Sequence, residues 1–251
     1  MARDAGQLYW LGKAITTPLC RFFYRLEING LDNVPDDGPA IIAPNHVAFI
    51  DSMLLPVVLH RRITFVGKAE YMDDWKTKYV FPAMGMIPID RSGGSASQGA
   101  LDAASAILDR GELFGIYPEG TRTRTGNLHK GRTGVARLAM RTGAPIVPVG
   151  FRGTGAVQPA DTPLPKPFMT VEVNFGQPID PARFRARDGD PLLYREMTDE
   201  LMFEIKQLCG QEYVHEYATK PDGESPPSSP VSSEPLAPVR SSADLLSSGT
   251  S

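Results

Sequence analysis

Ala40-Ile41-Ile42-Ala43-Pro44-Asn45-His46-Val47-Ala48-Phe49-Ile50-Asp51 passes from an unbroken apolar run, through a polar pair, into an apolar segment of helical character that runs from about Ser52 to His60. The run is short enough for a buried strand, and Pro44 ends it. Strand, polar loop and helix in succession form the repeating unit of an α/β sheet, in which functional residues tend to sit on the loops that follow strands.

The same unit recurs along the chain. Ile63 to Gly67, Met86 to Ile89, Leu113 to Tyr117, Ile146 to Phe151 and Thr170 to Phe175 read as further strands. Helices read over Trp75 to Phe81, Ser97 to Asp109, Gly134 to Arg141 and Leu192 to Leu208, with Gly111 a terminator after the second of these. A chain of 251 residues, 41% hydrophobic and 22% charged, is large enough to bury one substantial core. The expected fold is α/β, a single domain with a mixed, mostly parallel sheet flanked by helices.

Appendages are expected at both ends. Leu8, Leu11, Ile15, Leu19, Phe22 and Leu26 recur at spacings of three and four, with Trp10, Lys13, Arg21 and Arg25 beside or behind them. Residues 1–25 therefore read as an amphipathic helical arm, which Pro18 is expected to divide into two short helices. An apolar face with aromatics and bases suits a lipid interface, and it equally suits packing on the chain's own domain. No stretch reaches the roughly 18 consecutive apolar residues of a spanning helix, and no signal-peptide pattern opens the chain. The arm is expected to attach the protein peripherally, at the cytoplasmic face of a membrane. The domain proper is placed at 26–218; from Thr219 the composition turns to Ser and Pro with no aromatic residue after Tyr217, so 219–251 reads as a disordered tail.

Composition excludes several classes of function. Cys20 and Cys209 stand far apart and outside any metal-ligand spacing, which argues against a disulfide scaffold or zinc site and fits a reducing compartment. A net charge of -3 gives no reason to expect nucleic-acid binding. The charge is uneven, however: between Glu119 and Arg141 one acid faces Arg122, Arg124, Lys130, Arg132, Arg137 and Arg141, a run suited to a phosphate, to anionic lipid, or to a solvated surface. No GxSxG is present, which argues against a serine hydrolase.

Two stretches carry chemistry. His46 follows a buried strand with Asp51 five residues later; an imidazole takes a proton from a hydroxyl effectively when a carboxylate on its other nitrogen fixes its tautomer. Asp51 also suits capping the helix that follows, and His46 a buried structural role. Tyr117-Pro118-Glu119-Gly120-Thr121-Arg122 again leaves an apolar strand, and its backbone N–H groups, hydroxyl and guanidinium suit one anion, a phosphate above all. A plain strand-to-helix turn with a surface ion pair would look the same.

Together, Asn45-His46-Val47-Ala48-Phe49-Ile50-Asp51 and Tyr117-Pro118-Glu119-Gly120-Thr121-Arg122 resemble the bacterial lysophosphatidic acid acyltransferases of the glycerolipid acyltransferase family. Gly85-Met86-Ile87-Pro88-Ile89-Asp90-Arg91 resembles that family's second block and Ala144-Pro145-Ile146-Val147-Pro148-Val149 its fourth, in the family's order, so the resemblance runs from about Leu26 to Ile179. It implies His46 as general base and Asp51 as its orienter. It also implies acceptor phosphate binding by Glu119, Gly120, Thr121, Arg122, Arg91 and Lys68, with Lys130 a weaker candidate and Asn45, Gly85, Pro118 and Pro145 in support.

The implied reaction moves a fatty acyl group from acyl-CoA or acyl carrier protein to a lysophosphatidic acid, with no cofactor and no metal. Glycerol 3-phosphate, another lysophospholipid, or a non-catalytic lipid-binding role on the same fold are the alternatives. Relatives usually carry serine where this chain has Ala48, phenylalanine where it has Tyr117 and serine where it has Thr123.

Overall fold

The computed structural model describes residues 2–68, 85–89, 96–160, 162, 164–187, 190 and 192–219. In chain order its strands are β1 (Tyr24–Asn29), β2 (Ala40–Pro44), β3 (Ile63–Lys68), β4 (Met86–Ile89), β5 (Leu113–Gly115), β6 (Leu128–His129), β7 (Ile146–Arg152), β8 (Met169–Phe175) and β9 (Tyr213–Val214). The principal helices are α1 (Ala2–Phe23), α2 (Ile50–Val58), α3 (Ala96–Leu108), α4 (Gly134–Thr142) and α5 (Leu193–Cys209).

Seven strands form one sheet in the order β1-β8-β7-β2-β5-β3-β4, parallel throughout except for the β7–β8 pair. This is the mixed, mostly parallel sheet that the alternation of elements predicts. β2 stands at its centre, with Ile42 opposite Gly115 of β5 on one side and Val147 of β7 on the other. The chain leaves β2 toward β3 and β4, returns through β5, and crosses to β7. The carboxyl end of β2 thus lies where the strand order reverses, the place at which open α/β sheets offer a crevice.

Side-chain alternation along β2 divides the core into two layers. Ala40 and Ile42 pack with α1, α2 and residues such as Leu54, Phe65, Val149 and Phe151. Ile41 and Ala43 face the opposite way, into Ala104 and Ile107 of α3, Leu138 of α4 and Leu201 and Ile205 of α5. Each fully buried Ile or Leu among these contributes about 1.5–3 kcal/mol of transfer free energy. Among the described residues helices pack on both faces of the sheet.

α1 runs unbroken through Pro18, contrary to the expectation of two short helices, and it ends at Phe23, so that Leu26 belongs to β1 and not to the helical face. Contacts along its length outweigh the backbone bond that proline forfeits. Tyr9 is buried with its hydroxyl accepting from the Ile63 N–H (3.3 Å), the Lys13 ammonium donates to the Leu59 carbonyl, and Cys20 joins the core. The opposite face, Leu11, Ile15, Leu19 and Phe22 with Trp10, is exposed. Phe168 projects beside it, packed edge-on against Phe22 and tilted against Phe23, with its N–H donated to the Phe23 carbonyl (2.6 Å). Its φ of 62° is a left-handed conformation uncommon for an aromatic residue, held here to present a ring that stays 72% exposed.

The two-residue pair β6–β9 was not anticipated from the sequence. The helix expected over Trp75 to Phe81 lies outside the described residues, as does the tail beyond Thr219. Among the described residues no helix is long and apolar enough to cross a membrane.

Candidate active site

Asn45 continues the line of β2 into the crevice. Its side chain is buried, accepting from the Phe151 N–H (2.7 Å) and donating to the Phe151 carbonyl (3.1 Å) and to Gln211 (2.7 Å). These bonds extend the pairing with β7 by one residue through a side chain, fixing where the next residue, His46, emerges.

The His46 ring meets Asp51 through Nδ1, 3.1 Å from Oδ2, and its side chain keeps 14% exposure while Asp51 has none. The same Oδ2 accepts the N–H groups of Val47 and Ala48, both at 2.8 Å. Asp51 lies inside the first turn of α2, whose N-cap is Phe49 with no side-chain cap bond, so it does not cap the helix; its Oδ2 ties the preceding turn and meets the imidazole. With Nδ1 engaged, Nε2 is the nitrogen placed to take a proton. Asp51 Oδ1 is buried with no hydrogen-bond partner among the described residues.

The second stretch leaves β5, the strand next to β2, and the two loops are bonded to each other. The His46 N–H donates to Glu119 Oε1 (2.9 Å) and the Thr123 N–H donates to the His46 carbonyl (2.9 Å). The other Glu119 oxygen accepts the N–H of His129 (2.9 Å), so one carboxylate bridges three segments. Glu119 is fully buried, and it is pushed up to about 7, chiefly by that burial, with the two backbone bonds opposing and the Asp51 charge adding to it. Glu119 exposes no surface, and both its oxygens accept backbone N–H groups, which is the geometry of an internal clamp.

Gly120 turns the loop with φ 79°, and a Cβ there would stand 2.9 Å from Arg132 Nε. Pro118 is buried and its carbonyl accepts the Arg132 N–H (2.8 Å). Thr121 is half-buried and Arg122 exposed, one residue from the Thr123 amide that meets His46. The imidazole and the guanidinium-bearing turn thus follow the carboxyl ends of two adjacent parallel strands.

Among the supports, the Gly85 carbonyl accepts from Phe65 N–H (2.9 Å) at the start of β4, and the Pro145 carbonyl accepts from Ile41 N–H (2.9 Å) beside β2. Lys130 is turned toward the 213–217 segment, 3.1 Å from His215 Nε2 and over the Tyr217 ring. Arg91 and the Lys68 side chain lie outside the described residues.

The acyltransferase family model matches residues 25–152, just over half the chain and the span that holds both loops. The chain belongs to the acyltransferase family. A chloroplastic 1-acyl-sn-glycerol-3-phosphate acyltransferase of Arabidopsis thaliana is 30% identical over 158 residues, 62% of this chain and 44% of that protein. A 1-acyl-sn-glycerol-3-phosphate acyltransferase of Borreliella burgdorferi is 27% identical over 130 residues, 52% of each chain. The chain thus spans about half or less of these relatives' lengths. The crystal structure of the LPA acyltransferase PlsC from Thermotoga maritima shares the fold, with a TM-score of 0.63 and 22% identity over 81% of this chain and 79% of that one.

Within this acyltransferase domain some contacts carry no sequence signal. Gln158, far from either block, accepts the Ile50 N–H (2.9 Å) with its side-chain carbonyl and so holds the start of α2. Gln211 links Asn45 to the Gly126 carbonyl (2.6 Å). Neither follows a strand or falls in a block, so only the folded chain brings them to the site.

Proposed function

We propose that this protein transfers a fatty acyl group from an acyl thioester, carried by CoA or acyl carrier protein, to the free hydroxyl of a lysophosphatidic acid, yielding phosphatidic acid. The observation that carries this reading is the His46–Asp51 pair at 3.1 Å, on a loop bonded through Glu119 and Thr123 to the turn that bears Arg122.

A hydroxyl is a poor nucleophile at neutral pH. His46 Nε2 removes its proton as the oxygen attacks the thioester carbonyl, Asp51 stabilises the imidazolium formed, and the proton passes to the departing thiolate. Arg122 binds the acceptor phosphate through charge-assisted hydrogen bonds, which holds the hydroxyl beside His46 and converts an encounter into an oriented reaction.

The exposed apolar face of α1, joined by Phe168, rests on the lipid surface from which the acceptor is drawn, with the exposed Arg21 and Lys166 available to anionic headgroups. Attachment is peripheral, at the cytoplasmic face.

The test is a panel assay of both donor types against lysophosphatidic acid, glycerol 3-phosphate and neutral lysolipids, read by mass spectrometry. Phosphatidic acid is expected from the first acceptor, and His46→Ala is expected to abolish its formation while leaving the fold intact. Turnover by that variant at the normal rate would refute the base. Free fatty acid released equally with and without lysolipid would refute transfer.

A further inference from the structure

Asp51 holds His46 by one hydrogen bond at one edge, and a ring held so is still free to pivot about the Nδ1 to Oδ2 axis. A second contact removes that freedom. Tyr117, the second residue after β5, lies face to face with the imidazole, ring centroids 3.7 Å apart and planes 16° from parallel. Its hydroxyl is 2.7 Å from Ser52 Oγ, and Ser52 is the residue next to Asp51 on the first turn of α2. Phe65 lies parallel to Tyr117 at 6.0 Å, against the bare backbone of Gly115, where a Cβ would stand 2.1 Å from the Phe65 ring.

We propose that Tyr117 and Ser52 are positioning residues for the reaction: Asp51 fixes the edge of the imidazole, the Tyr117 ring fixes its plane, and Ser52 fixes Tyr117. Two adjacent residues of one helical turn thereby control both rotations of the base. The stacked ring also offers its π-face to the positive charge that His46 gains as it takes the proton, an attraction present only once that proton has moved. Burial foremost, with the Asp51 charge adding to it, pushes the Tyr117 phenol well up, so the hydroxyl remains an intact hydrogen-bond partner for Ser52. Phenylalanine at position 117 would keep the face and lose the tether; leucine would lose both.

This proposal rests on His46 as the general base, and the test separates the two. The full chain is compared with Tyr117→Leu, Tyr117→Phe, Ser52→Ala and the Tyr117→Phe/Ser52→Ala double variant. Each is measured for kcat and for both KM values, and by nitrogen-15 NMR of the His46 imidazole. Tyr117→Leu is expected to lower kcat roughly tenfold or more with both KM values within about twofold, because orientation and not binding is lost.

Tyr117→Phe is expected to recover most of that loss, falling about threefold below the parent, with Ser52→Ala alike and the double variant no lower than either single. The His46 Nδ1–H resonance is expected to broaden in Tyr117→Leu and to persist in Tyr117→Phe. A Tyr117→Leu protein with parental kcat and an unchanged His46 resonance would overturn the proposal. So would losses at Tyr117 and Ser52 that simply add. If the parent transfers no acyl group to any acceptor, the reaction assignment fails, while the resonance still decides the stack: broadening supports it, and no change overturns it.

Discussion

Replacing Glu119 by glutamine tests whether this residue is an internal clamp or a ligand for substrate. In the parent each carboxylate oxygen accepts one buried N–H, from His46 and from His129, both at 2.9 Å. Glutamine is isosteric, but its amide offers one acceptor and one donor, so one N–H meets an NH2 group and is left unpaired, at a cost of roughly 1–3 kcal/mol. Burial works in the other direction. Because the parent carboxyl is raised from 4.5 to about 7, its contribution is fully present below pH 4.5 and is lost as pH rises through 7.

The glutamine variant does not titrate there. The stability of the parent relative to Glu119→Gln should therefore fall by about 2–3 kcal/mol between pH 5 and pH 8, one proton acting over about two pH units at roughly 1.36 kcal/mol each. Urea unfolding of both proteins at the two pH values measures this directly, and kcat should drop in the variant because one tie on the His46 loop is gone. A difference independent of pH, or one that grows with pH, would refute the burial-raised carboxyl. Unchanged stability with a raised acceptor KM would instead show that Glu119 reaches the substrate.

Other perturbations follow from the same contacts. Gly115→Ala places a methyl 2.1 Å from the Phe65 ring and should destabilise the protein by about 1–3 kcal/mol in thermal or urea melts, lowering kcat as Tyr117 shifts; a silent variant would show that β5 tolerates the intrusion. Asn45→Ala leaves the Phe151 N–H and carbonyl without their side-chain partners and should cost roughly 1–3 kcal/mol for each that water does not reach, read by unfolding; a loss under half a kcal/mol would contradict its structural weight. Ile15→Glu with Leu19→Glu on the exposed face of α1 should leave the melting temperature within about 2 °C while abolishing sedimentation with anionic vesicles; full binding by the variant would remove this face from lipid attachment.

Much of the fold is legible because the sheet is nearly all parallel and buried on both faces, so its strands appear as short apolar runs such as Ala40 to Ala43, and the helices between them as amphipathic segments. Elements without a period are not legible. The pair Leu128–His129 with Tyr213–Val214 is two residues long on each side and arises from tertiary proximity alone. Pro18 misleads because its propensity cost is local, whereas the Tyr9, Lys13 and Cys20 contacts that hold α1 lie elsewhere in space.

At the site, the spacing of His46 and Asp51 is enough to suggest their pairing. Spacing cannot reveal that Glu119 turns inward, since a carboxylate beside Gly120 and Arg122 reads equally well facing a ligand or a backbone. Nor does a single aromatic residue at 117 announce a stack with a residue 71 positions away; that follows only from β2 and β5 being neighbours.

The mutual bonding of the turns after β2 and β5 makes them one inheritable part. Transplanting the histidine segment into another α/β scaffold would carry over the residues of a base but leave its amide and carbonyl facing solvent, and an exchange between relatives should preserve turnover only when both segments travel together. Recombination between homologues would accordingly find its permissive crossover points before β2 or after β6, and not in the interval that separates the two turns.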